Sequence, residues 1–293
     1  MTTFATGSIP LTTRHEMMLG AVAAEQFDAG YRHLRGSNFV DRSTLLTARQ
    51  RILGVCASAQ GEPVVAGMAA SILHGSAWYD DDFSIELVRP ATGSGRPAKG
   101  TITHRFDIDP ADWCIVDSVR VTTPLRTAFD IGRMQPPWRA LGYLDALARA
   151  TELDTRDLAR YADAQRRRRH VRQIRELAPL VDARAESPPE SWVRLLMVRS
   201  ELPTPDLQIV VTNRSGNPFA RIDLGYEALK IGVEYDGGDF HSSQEQSARD
   251  ESRDASLREL GWIMIRVDRR RLRDEPFGIV VEIVKAMRAR GAY

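Results

Sequence analysis

The stretch DLGYEALKIGVEYDGGDFH, Asp223 to His241, decides how the second half of the chain is read. It reads as a turn followed by a strand, Lys230 to Asp236. Strand side chains alternate between faces, so Ile231, Val233 and Tyr235 share one face while Lys230, Glu234 and Asp236 share the other. Acidic residues are depleted in strands, and like charges on one side repel. Two carboxylates on one face of an apolar strand therefore call for a reason. Asp223 falls at the end of the preceding strand, where a hairpin would bring it beside Glu234. Carboxylates gathered this way need a cation between them, and an oxygen-only set suits a hard ion such as Mg²⁺.

Outward from this stretch the pattern is α/β. Ser187 caps a helix opened by Pro188 and Pro189 and carrying Glu190. Strands are expected over 207–212, 219–224 and 230–236, with Asn213, Gly216 and Asn217 in the first turn. A helix over 243–260 closes at Gly261, a strand comes next over 262–267, and a last helix covers 275–289. The order is αβββαβ.

An Asp followed on the next strand by an acidic-x-basic triplet resembles the PD-(D/E)XK nuclease superfamily. The longer set of Glu190, Asp223, Glu234, Asp236, Gly237, His241, Arg253, Leu257, Gly261, Trp262 and Arg266 is similar to a bacterial branch grouped with very-short-patch-repair endonucleases. The resemblance implies a restriction-endonuclease-like core over 188–293 and metal-dependent hydrolysis of DNA phosphodiesters. Asp223 and Glu234 would hold Mg²⁺ or Mn²⁺, and Glu190 would reach the same pocket. His241 would act as general acid or base or touch phosphate, and Arg253, Arg266 and Lys230 would meet phosphate or anchor the carboxylates. The chain departs from the superfamily in one respect: Asp236 stands where the triplet has its basic residue. The water-orienting charge would then come from Lys230, Arg253 or His241, or Asp236 as a fourth carboxylate would tighten metal binding, or the activity would be lost and the domain kept as a DNA- or protein-binding scaffold.

Composition sets the outer bounds. A chain of 293 residues with 43% hydrophobic and 27% charged residues is that of a globular protein of one large or two ordinary domains. A net charge of +1 gives no global basic field, so any nucleic-acid contact must be a local patch. Cys56 and Cys114 lack metal-ligand spacing and read as buried thiols. The first residues carry no charged segment followed by an apolar one, and the longest nearly apolar run, 64–73, is too short for a bilayer. The expected location is the cytoplasm.

The N-terminal part is expected to be helical or mixed. Residues 14–35 and 43–58 read as helices, forming either a degenerate winged-helix head over 1–60 or a helical pair packed on the next domain. Residues 63–73 suggest a buried helix, Phe83–Val88 and Thr101–Phe106 strands, and Cys114–Val121 a third. Thr122, Thr123 and Pro124 open a helix, and 137–150 is another. Within 61–165, Ala70, Ser71, His74, Gly75, Trp78, Gly100, His104 and Arg105 are followed by Thr122, Thr123, Pro124, Arg126, Thr127 and Asp130. This set resembles type IV antitoxins of the AbiEi kind, which implies a regulatory role, DNA contact and a cognate nucleotidyltransferase-like toxin. His74, His104 and His170 have no ligand spacing and read as structural. Residues 155–183 read as helical, with the block Arg166–His170 in an Arg-rich linker over 166–187 that would meet phosphates or solvent.

Two functions compete, with a purely structural interaction protein as a third reading should the pocket be occluded and bind no cation. One is a metal-dependent nuclease in a defence, repair or toxin–antitoxin setting. The other is a non-catalytic DNA-binding antitoxin or regulator that retains an endonuclease-like fold.

Overall fold

The computed structural model describes residues 12–13, 29–35, 38–57, 59, 61–92, 101–165, 167–237 and 244–292. The chain is α+β and divides into two compact units. The first takes in residues up to Arg133 and Ala150–Arg175; the second takes in Met134–Arg149 and Glu176–Tyr293.

In the first unit, β1 (Thr12–Thr13), β2 (Tyr31–Arg35) and β3 (Asn38–Asp41) form an antiparallel sheet of order β1-β3-β2. The helix expected over 14–35 is thus corrected at its end, because Tyr31, Arg32 and His33 pair with Asp41, Val40 and Phe39. Cross-strand partners far from a segment override its local period. Residues 29–30 are helical as expected, and 14–28 lie outside the described residues. Helix α1 (Ala48–Ala57) matches the second expected helix.

The next sheet has five strands in the order β6-β5-β4-β8-β7. It is built from β4 (Val64–Ala66), β5 (Ile85–Arg89), β6 (Thr101–Arg105), β7 (Trp113–Val116) and β8 (Val119–Thr122), with α2 (Gly67–Leu73) after β4. The apolar run 63–73 is therefore a strand and then a helix. The break is Gly67 at φ +59°, where an added Cβ would lie 2.1 Å from Glu86 Oε1. A run without polar punctuation leaves strand and helix indistinguishable. Likewise 114–121 is a hairpin, turning at Asp117 and Ser118, both at positive φ (48° and 63°). Two such residues in sequence suit the tight turn that a right-twisted hairpin requires.

Helix α3 (Pro124–Gly132) is capped by Thr123, which accepts from Arg126 N, with Pro124 in the first turn. Helix α4 (Pro137–Ala150) belongs to the second unit up to Arg149. Helix α5 (Thr155–Ala164) and α6 (Val171–Leu177) replace the continuous helix expected over 155–183. Arg167 (φ 61°) and His170 (φ 58°) adopt the left-handed conformation between them; Arg166 lies outside the described residues.

The second unit has α7 (Pro188–Arg199), β9 (Asp206–Thr212), β10 (Pro218–Tyr226), β11 (Ile231–Asp236), α8 (Gln244–Glu259) and β12 (Ile263–Asp268). The expected αβββαβ order is present. The sheet runs β12-β11-β10-β9, with β11 and β12 parallel across α8 and the other pairs antiparallel. Helices α9 (Arg269–Asp274) and α10 (Pro276–Ala289) complete the unit. Within it Trp138 of α4 stacks on Trp192 of α7 at 4.2 Å.

One hairpin serves two cores. Leu207, Leu224 and Tyr226 join Val193, Met197, Ile231, Val233, Ile265 and Ile279. Ile209, Val211 and Ile222 join Leu257 and Trp262 instead. Gln208, at φ 53° in mid-strand, marks the changeover, and Asp223 lies across from it on β10, between the Ile222↔Ile209 and Leu224↔Leu207 pairs. Polar side chains collect there, which positions the candidate site.

Candidate functional site

Three acidic residues meet at the crossing. Glu190, 5% exposed, sits in the first turn of α7. Its Oε1 accepts from Ser187 Oγ at 2.7 Å, and its Oε2 accepts from Glu186 N at 2.9 Å and Gln208 Nε2 at 3.0 Å. Ser187-Pro-Pro-Glu190 is thus a variant of the reciprocal box that caps a helix start. Asp223 lies one step on from the Leu224↔Val233 pair, opposite Glu234, as the hairpin expectation required. Its Oδ2 accepts from Tyr235 N at 3.0 Å. Burial pushes the Asp223 carboxyl up to about 6; the Tyr235 N–H opposes this, and the nearby charges of Glu190 and Glu234 add to it.

Glu234 is also 5% exposed. Arg253 grips both of its oxygens, with Nη1 at 3.2 Å from Oε2 and Nη2 on Oε1, and Arg266 Nη1 donates to Oε2 as well. Arg266 is Glu234's register partner on β12, so the parallel pairing itself delivers this charge. Arg266 Nη2 also holds Asp254 Oδ1 at 2.6 Å, and Arg253 Nη2 reaches Arg221 O at 3.2 Å. Bonding to Glu234 raises the already high basicity of Arg253 further.

The remaining expected residues are dispersed. Asp236 is exposed at the end of β11. Lys230 is just before the strand's other end, where Nζ donates to Leu260 O at 2.8 Å, past the end of α8. His241 lies outside the described residues. Sequence reasoning missed Gln208 and Asp254. Gln208 is left-handed in mid-strand, with its Oε1 buried and without a hydrogen-bond partner; Asp254, one residue past Arg253, completes the acid–guanidinium mesh. No short motif announces either.

The donor set does not fit a divalent ion as it stands. Both oxygens of Glu234 are committed to guanidinium groups, and among the described residues no group of three or more His, Cys, Asp or Glu could hold a metal. What the geometry provides is a buried acid locked by two arginines, beside an acid whose carboxyl burial pushes up to about 6.

In the first unit the antitoxin-like residues build a polar frame. His74 Nε2 donates to Thr122 O at 2.7 Å, and the Thr122 and Thr127 hydroxyls meet at 2.6 Å. Arg126 bonds Asp112 and Asp130, each at 2.8 Å, and Tyr161 OH donates to Asp112. His104 Nε2 meets Glu86 Oε2 at 2.8 Å, and that carboxylate holds the imidazole above its ordinary range. These residues fix β8, α3 and α5 together.

Residues 64–180 match the family model of the AbiEi antitoxin C-terminal domain, so this part of the chain is AbiEi-like. The chain is also 34% identical over 172 residues to two uncharacterized proteins from two strains of Mycobacterium tuberculosis, 58% of this chain and 63% of each relative. It therefore spans less than two thirds of the length of those relatives. No helix among the described residues is long and apolar enough to cross a membrane.

Proposed function

We propose that the protein is a non-catalytic antitoxin or transcriptional regulator of a type IV toxin–antitoxin pair, that it contacts DNA, and that its endonuclease-like second unit serves as a scaffold. The observation that carries this is the antitoxin-domain match over residues 64–180. The locking of Glu234 by Arg253 and Arg266 agrees with it, because a buried acid already neutralised is built for rigidity. The partner on this reading is a nucleotidyltransferase-like toxin. The test is co-expression with a growth-arresting nucleotidyltransferase-like toxin taken from the same genome: growth should be restored by the full chain. Growth arrest that persists at full expression of the chain would sink the reading.

A second reading is metal-dependent phosphodiester hydrolysis at Glu190, Asp223, Glu234 and Asp236. It is favoured by one observation, the convergence of Glu190 and Glu234 on Asp223 closely enough to raise its carboxyl pKa. It requires Arg253 and Arg266 to release Glu234. Plasmid nicking with Mg²⁺ or Mn²⁺, lost in Asp223→Ala, would support it; equal inertness of wild type and variant removes it.

A further inference from the structure

The second unit carries an open groove of about 630 Å³ between the β9–β10 turn and α8. Asn213 and Arg214 of the turn, Phe219 of β10, and Ser252, Arg253 and Ser256 of α8 line it, with Glu259 as its acidic member. The turn is fixed by Asn213 Oδ1, which accepts from Ser215 N and Asn217 N, each at 3.0 Å. Arg253 lines the groove and also holds Glu234 through its guanidinium, so it belongs to the groove and to the acidic cluster at once. An anion entering the groove meets a guanidinium that Glu234 already neutralises.

We propose that this groove binds the phosphodiester backbone of a single-stranded nucleic acid through Arg214 and Arg253, in competition with Glu234 for Arg253. Guanidinium forks match phosphate geometry, and hydroxyl groups add neutral donors beside them. A lone phosphate fills little of such a volume, whereas a sugar–phosphate chain occupies it and sets one unstacked base against the Phe219 ring. In naming nucleic acid the proposal rests on the DNA-contact part of the reading above; the competition rests on the shared guanidinium alone. The competition also fixes the sign of a mutational effect: removing charge from Glu234 frees Arg253 and tightens binding.

The experiment is fluorescence anisotropy of a labelled oligothymidylate titrated with the full chain, run beside the same length of duplex and with pyrophosphate as competitor. Arg214→Ala should weaken binding about tenfold and lower the salt dependence. Glu234→Gln should tighten it several-fold, and Glu259→Gln, an exposed change that leaves the fold intact, should tighten it too. Arg273→Ala, far from the groove in sequence and paired with Asp274, should change nothing. If wild type binds the strand but Arg214→Ala, Glu234→Gln and Glu259→Gln all bind like it, the groove is wrong while DNA contact stands. If wild type binds neither strand nor duplex, the groove and the DNA contact fall together, and the antitoxin reading is left to the growth assay. Preference for duplex, or full displacement by equimolar pyrophosphate, overturns the single-strand assignment.

Discussion

Asp145 of α4 and Arg194 of α7 form an ion pair whose side chains are 2% and 3% exposed, inside the second unit. Asp145 also accepts from Ser191 Oγ at 2.5 Å and from Asp182 N at 2.9 Å, while Arg194 Nη1 donates to Leu180 O. The pair therefore fastens two helices and the segment before α7 at one point. Asp145→Ala leaves Arg194 buried without its counter-charge, a loss of about 3–5 kcal/mol. Urea unfolding of wild type and variant measures it; a change below about 1 kcal/mol would show that the pair is dispensable, as exposed pairs are.

Burial lifts the Asp145 carboxyl to about 6 in the folded chain, above its ordinary 3.8, although Arg194 pulls the other way. A raised carboxyl pKa means that the folded state binds more protons than the unfolded one between these two values. Stability from this group is thus fully present below about 4 and declines as pH rises through 6. Asp223, also lifted to about 6, acts in the same direction. Melting temperatures of wild type and Asp145→Asn between pH 4 and 7 should show a downward slope that is shallower in the variant. Parallel curves would mean that Asp145 titrates normally.

Asp223→Asn should be neutral or stabilising at pH 7, by on the order of 1 kcal/mol, because burial disfavours the charged form and an amide oxygen still accepts from Tyr235 N. Chemical denaturation is the check. Clear destabilisation would mean that the negative charge is itself required, which would strengthen the metal reading.

At Glu234 the two sides of the ion cluster should respond unequally. Glu234→Ala frees guanidinium groups that are 24% and 42% exposed, and these can turn toward water at a cost of about 1–3 kcal/mol. Arg253→Ala combined with Arg266→Ala leaves Glu234 buried and unpaired, costing about 3–5 kcal/mol. Equal losses in unfolding measurements would show that Glu234 reaches solvent once the arginines are gone.

Gly225 is paired with Gly232 across the β10–β11 hairpin, next to the acidic crossing. A Cβ at Gly225 would lie 2.2 Å from the backbone oxygen of Ile231, which has no flexible side chain to yield. Gly225→Ala should cost more than about 3 kcal/mol, as shifts forced on packed backbone do. Limited proteolysis should cut the second unit first, and a resistant variant would contradict this register.

Much of the second unit was legible because its signals are local. Ser187-Pro188-Pro189 opens a helix, the strands alternate, and Gly261 ends α8 at φ +83°. The approach of Asp223 to Glu234 followed from hairpin geometry alone. Locking of Glu234 was not legible, because Arg253 and Arg266 arrive from a helix and a strand whose docking only the tertiary packing decides. In the first unit, the strand in 64–66 was hidden by an apolar run that reads equally as helix, and the 113–122 hairpin by a turn made without glycine. The antitoxin-like residues were recognisable as a set, while their bonding to Asp112 and Tyr161 spans loops that no periodicity links.

Helix α4 leaves one compact unit in sequence and is counted in the other, and the chain returns to the first before finishing in the second. Neither half can therefore be excised with a single cut. A fragment trimmed to residues 64–180 would carry α4 without α7, exposing Asp145 and the stacked Trp138 to solvent. Recombination at any one junction would part a segment from the unit it packs in, so the two parts are expected to have been inherited, gained or lost together.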